Sequence, residues 1–195
     1  MGALSLYAAG AGARVVAVEA DPVALDQLRR NLAANPGLAG RVTVVPKAVA
    51  ARAGAVRLGA RRKPGDSMSS ALLADAPSSW LAEATTPADL ALLVGGAGRL
   101  LIKLDIEGGE YDVLPAISPL LRPRSRLLVS FHPAILRGTG EPDVAARTRA
   151  AVEPLSGWRA APVGPTGAAD LGWLPEATVD IQVSDTWLFS APDAD

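Results

Sequence analysis

Cysteine is absent from the 195 residues, and histidine occurs once, at His132. Without cysteine the chain has no disulfide framework, no thiolate metal site and no thiol nucleophile. A lone imidazole cannot build a multi-histidine centre, and no metal site is expected from the composition. An excess of either charge is also missing. The 19 Lys+Arg face 20 Asp+Glu, which argues against nucleic acid and against an anionic membrane surface as partners. No apolar run approaches the roughly 20 residues that a bilayer span requires. The small, apolar start (residues 1–20) carries Ala-x-Ala-like sites, but it has no basic leading segment, and Arg14 and Glu19 interrupt it early. The expectation is a cytoplasmic protein that acts on a small molecule.

Apolar residues are plentiful at 49%, enough for one buried core, so residues 1–195 read as a single domain without repeats or an internal linker. Residues 14–19 (RVVAVE) form a short β-branched run that ends in an acid. Asp21 and Pro22 then open a helix with Val23, Leu25, Leu28 and Leu32 near one face. Strands are expected at residues 41–45, 100–106 and 126–131, with two more around 158–163 and 186–190 beyond a Gly/Pro-rich connection. A hairpin-like segment is expected at 53–60. Helices are expected at 3–9, 87–94, 109–121 and 142–155, with residues 61–79 as a long surface loop and a further loop around Gly138 and Gly140. Strands alternating with helices imply an α/β fold with a doubly wound, mostly parallel sheet and an antiparallel strand at its C-terminal end. The run at 100–106 is nearly continuous apolar sequence, as a strand covered on both faces would show.

In such a sheet ligands bind beyond the carboxyl ends of the strands. Four positions there stand out: Glu19, Ala48, Asp105 and His132. An acid placed like Glu19 accepts hydrogen bonds from the ribose hydroxyls of a nucleoside cofactor, and equally serves as a solvated strand end. Residues 103–110 (KLDIEGGE) put Asp105, Glu107 and Glu110 at one strand end, with glycines that permit a tight turn. Such acids can orient a hydroxyl, hold an ammonium group or bind a divalent cation, and Glu110 also suits a helix N-terminus. His132 directly follows another strand and is a candidate general base, or a satisfied structural residue.

At these residues the chain resembles the FkbM family of methyltransferases. The matching stretches are residues 2–9 (GALSLYAA), 14–22 (RVVAVEADP), Asn31, 47–50 (KAVA), 103–110 (KLDIEGGE) and 131–132 (FH). The resemblance implies a Rossmann-like class I fold and transfer of a methyl group from S-adenosylmethionine to a hydroxyl, often on a sugar or secondary metabolite. It implies that Gly2 is the last glycine of the cofactor loop, that Glu19 with Ala20 holds the ribose, and that Ala48 lies by the adenine. Asp105 would face both the reactive methyl and the acceptor, with Glu107 and His132 as further catalytic candidates and Glu110 as a substrate or structural acid.

The chain departs from the family pattern in one place. The first strand and most of the glycine loop are missing ahead of Gly2, so the expectation is that the true start lies upstream. In the family's sheet that strand lies between the strands ending at Glu19 and Asp105, and its loss would leave two buried edges with unpaired backbone groups. The rival readings are an inactive or binding module on a methyltransferase scaffold and, more remotely, an NAD(P)-dependent oxidoreductase. The latter lacks the Gly-x-Gly-x-x-Gly turn.

Overall fold

The β-branched runs become strands and the amphipathic stretches become helices in a computed structural model, which describes residues 1–60, 69–163 and 185–192. The Gly/Pro-rich connection ahead of the last strand and residues 61–68 of the loop expected at 61–79 lie outside those residues. The chain is α/β with mixed sheets, divided into two compact units, Met1–Thr85 and Thr86–Asp195.

The first unit opens with helix α1 (Ala3–Gly10), which ends as Gly12 turns to a φ of 92° and hands the chain to strand β1 (Val15–Val18). Helix α2 (Pro22–Ala33) begins where Asp21, itself buried, accepts hydrogen bonds from the amides of Val23 and Ala24 at 2.8 and 3.0 Å. An acid N-cap followed by proline at the first helical position explains this start. Ala24, Leu28 and Leu32 form the buried face of α2. A short helix, α3 (Pro36–Ala39), precedes strand β2 (Val42–Val45), which pairs with β1 in parallel.

A second sheet in this unit has the order β3-β6-β4-β5, from β3 (Ala48–Val49), β4 (Gly54–Ala60), β5 (Ser69–Ser70) and β6 (Ser78–Thr85). The surface loop expected through residue 79 therefore ends sooner. Ser69 and Ser70 pair with β4, residues Ala71–Leu73 form a 3₁₀ turn, and β6 lies along the whole of β4. Ser-rich composition hid these strands, because their pairing is made by backbone groups, which composition does not report. Gly59 is needed here, since a Cβ at that position would stand 1.7 Å from the Leu73 carbonyl oxygen.

In the second unit helix α4 (Pro87–Val94) starts on a reciprocal capping box between Thr86 and Asp89. Strand β7 (Leu101–Leu104), helix α5 (Glu110–Val113), strand β8 (Arg126–Phe131) and helix α6 (Pro133–Gly138) follow. Helix α7 (Val144–Val152) then leads to strands β9 (Arg159–Pro162) and β10 (Asp185–Ser190). The sheet order is β7-β8-β10-β9, parallel between β7 and β8 and antiparallel at β10. The core sits under β8 and β10. Leu127 and Val129 face Phe189 and Trp187 in register, all four essentially unexposed, with Tyr111 packed against Phe131 at a ring separation of 5.6 Å. Each of these side chains contributes about 1.5–3 kcal/mol by burial.

Several expectations are corrected in this unit. The helix expected over 109–121 is α5 followed by two 3₁₀ turns, Leu114–Ala116 and Ser118–Leu120. Pro115 and Pro119 supply no amide hydrogen for a continuous helix. The loop around Gly138 contains α6, started by Pro133 at its first position. The helix expected over 142–155 begins only at Val144 and ends in a 3₁₀ turn at Glu153–Leu155, where Pro154 breaks it. The strand expected over 100–106 is shortened to β7 and is not covered on both faces, because Leu101 is 70% exposed. Among the described residues β1 pairs only with β2, and β7 only with β8. All four residues of β1 keep intermediate exposure, and Leu104 of β7 is buried. Among the described residues no helix is long and apolar enough to cross a membrane.

Candidate active site

Two adjacent parallel strands create the site in the second unit. The register pairs Leu104 of β7 with Val129 of β8, so both strands end on the same side, with Asp105 just beyond one and His132 shortly beyond the other. The carbonyl of His132 accepts the first helical bonds from the amides of Ile135 and Leu136, which fixes its backbone at the mouth of α6. Between Asp105 and α5 the chain makes a turn closed by the amide of Gly109 donating to the carbonyl of Ile106 at 3.2 Å. Both central residues have positive φ, 53° at Glu107 and 98° at Gly108, the pattern of a type I′ turn. Glycine accepts this freely, whereas Glu107 is held there at a local cost.

Glu110 holds the arrangement together from beneath. Its side chain is 0% exposed. Oε1 accepts hydrogen bonds from the amide of Ile106 at 2.7 Å and from Nδ1–H of His132 at 3.0 Å, and Oε2 accepts from the amide of Gly108 at 2.8 Å. A carboxylate on Nδ1 places the proton of a neutral imidazole there and leaves the lone pair on Nε2. That nitrogen lies 3.6 Å from Asp105 Oδ1 and 3.6 Å from Glu107 Oε2. The other oxygen of Asp105 pairs with Lys103 Nζ at 2.5 Å. Burial pulls the His132 pKa down, but the hydrogen bond to Glu110 and the charges of Glu110, Glu107 and Asp105 outweigh it. The net effect is a value above that of an ordinary imidazole.

The structure thus brings together Asp105, Glu107, Glu110 and His132. Gly2, Glu19, Ala20 and Ala48 belong to the first unit. Gly2 caps α1 at a φ of 82°, and the neighbouring carbonyl of Met1 accepts a hydrogen bond from Asn31 Nδ2 at 2.7 Å. Glu19 follows β1 and accepts the amide of Asp21 at 2.9 Å. Ala48 is buried and pairs with Ala84 of β6. Two residues that the sequence left unassigned meet this turn. Ser69 donates to Asp21 Oδ2 at 3.0 Å, and Trp80 Nε1 donates to the carbonyl of Ala20 at 3.3 Å. A tryptophan in a chain with only 4% aromatics was the available signal.

Burial raises the pKa of Glu19, and the Asp21 charge adds to this against opposing backbone hydrogen bonds. Between the ordinary value of 4.5 and the raised one, the folded chain binds more protons than the unfolded chain. Stability therefore falls as pH rises through that window. Glu19→Gln keeps an acceptor for Asp21 and is expected to raise the melting temperature at neutral pH. Melting curves of the two proteins should converge below the carboxylate range, and an equal gain at every pH would contradict this.

A family model described as the methyltransferase FkbM domain matches residues 3–144. Comparison with curated proteins gives no match, nor does comparison with solved structures. The match spans well over half of the chain and includes every residue of the Asp105–His132 cluster; the chain belongs to the FkbM methyltransferase family.

Proposed function

We propose that this methyltransferase takes its methyl group from S-adenosylmethionine and delivers it to a hydroxyl oxygen of a small molecule, a sugar or secondary metabolite. The observation that carries this reading is the buried Glu110–His132 pair, with Asp105 and Glu107 beside its free nitrogen, at the ends of two adjacent parallel strands. A class I arrangement of the sheet, with cofactor and acceptor beyond the strand ends, goes with that reaction. Glu19, on its turn with Ala20, would hold the ribose, with Gly2 and Ala48 in the family's cofactor positions.

In the transfer the acceptor oxygen attacks the methyl carbon as the sulfur–carbon bond breaks, and the electron pair of that bond leaves on sulfur. Nε2 of His132 takes the hydroxyl proton, and the resulting imidazolium is stabilised by Glu110, Glu107 and Asp105. Positioning supplies much of the acceleration, and a placed base adds about 10²–10⁴-fold. Calorimetric titration of the chain with S-adenosylmethionine, and melting in its presence, test the donor. At roughly a hundred times Kd a ligand of the folded state adds about 2.7 kcal/mol of stability. A shift with S-adenosylmethionine and none with NAD(P) is expected, and the reverse result would move the chain to the oxidoreductase reading.

A further inference from the structure

We propose that Asp105, Glu107 and His132 form a binding site for one divalent transition-metal cation of the manganese or zinc kind. One donor atom from each residue lies within 4.8 Å of the other two. The observation that points to a cation is the state of His132. Its side chain is only 9% exposed, and Nε2 faces both carboxylates at 3.6 Å. That is too long for a hydrogen bond but within ion-pair reach of both acids. Two donors about 2.1–2.2 Å from a shared ion, at a tetrahedral angle, stand roughly 3.4–3.6 Å apart.

Glu110 completes the arrangement by accepting Nδ1–H, which aims the Nε2 lone pair at the gap, as carboxylates behind metal-binding histidines do. The local charge agrees. Asp105, Glu107 and Glu110 carry three negative charges against the one positive charge of Lys103, which bonds only the far oxygen of Asp105. With a neutral imidazole the balance is −3 + 1 = −2, which a divalent ion cancels. One imidazole with two carboxylates suits manganese, iron or zinc better than magnesium, which prefers oxygen alone.

Three protein ligands leave coordination positions open for an acceptor oxygen. With the cation in place His132 is a ligand instead of the base. Bound there, the ion would act as a Lewis acid that makes a coordinated hydroxyl easier to deprotonate. This catalytic consequence rests on the methyl-transfer reading; binding of the ion does not.

The test is titration of the chelator-treated full chain with manganese chloride, followed by electron paramagnetic resonance of free manganese and by calorimetry. One ion per chain is expected. Asp105→Asn, Glu107→Gln and His132→Gln should each weaken binding at least about tenfold, while Asp26→Asn, on exposed helix surface, leaves it unchanged. Melting curves confirm that each variant is folded. Failure of the folded wild-type chain to bind manganese or zinc would overturn the proposal, as would binding that ignores all three substitutions. Neither result depends on turnover, so the donor titration with S-adenosylmethionine stands or falls separately.

Discussion

Glu110→Ala is expected to cost about 3–5 kcal/mol of folding stability, a large fraction of what a domain of this size possesses. The carboxylate accepts from the amides of Ile106 and Gly108 and from the imidazole of His132, and none of its surface is exposed. Truncation to a methyl group strands three donors in a site that water enters poorly, at about 1–3 kcal/mol each before any relaxation. It also opens a void beneath a turn already held at positive φ at Glu107. Glu110→Gln keeps the shape but offers only one oxygen to donors that now use two, so an intermediate loss is expected. Urea unfolding measures both, and a loss under about 1 kcal/mol for alanine would show that the turn is held by other contacts.

Asp105→Ala is expected to lower methyl transfer by about 10²–10⁴-fold while leaving affinity for S-adenosylmethionine nearly intact. Asp105 stands 3.6 Å from the imidazole, and among the described residues no backbone amide donates to its side chain. In the proposed reaction its loss would remove charge and positioning beside the acceptor, with little cost to folding. Glu19→Ala should show the opposite balance. Its carboxylate lies in the first unit on the turn that would hold the ribose, so donor affinity falls while turnover at saturating donor changes little. Separate kcat and KM measurements with a competent acceptor, supported by donor titration, distinguish the two variants. Equal, mild effects from both would remove the roles assigned to them.

Part of this was readable from residue order alone. Residues 103–110 place three acids and two glycines after an apolar run, and that pattern identified the strand end, the turn and the family without coordinates. The Asp21–Pro22 helix start was equally legible, because an N-cap acid and a proline at the first helical position act through their immediate neighbours. Local signals failed where backbone pairing decided the outcome. Strands β5 and β6 are made by partners across the sheet, and the serines in them carry little strand preference of their own.

The role of Glu110 shows the same division at the site. From its position it was a substrate or structural acid, or a helix-terminal charge. In the fold it is a buried acceptor that bends back four residues to Ile106 and reaches across 22 to His132. The sequence by itself determined the chemical inventory: one imidazole, no thiol, and three carboxylates spaced around a glycine turn. Only the tertiary structure decided that these groups meet. The parallel register of β7 and β8 sets the 3.6 Å spacings, and register is a property of two strands together that neither strand's residues specify alone.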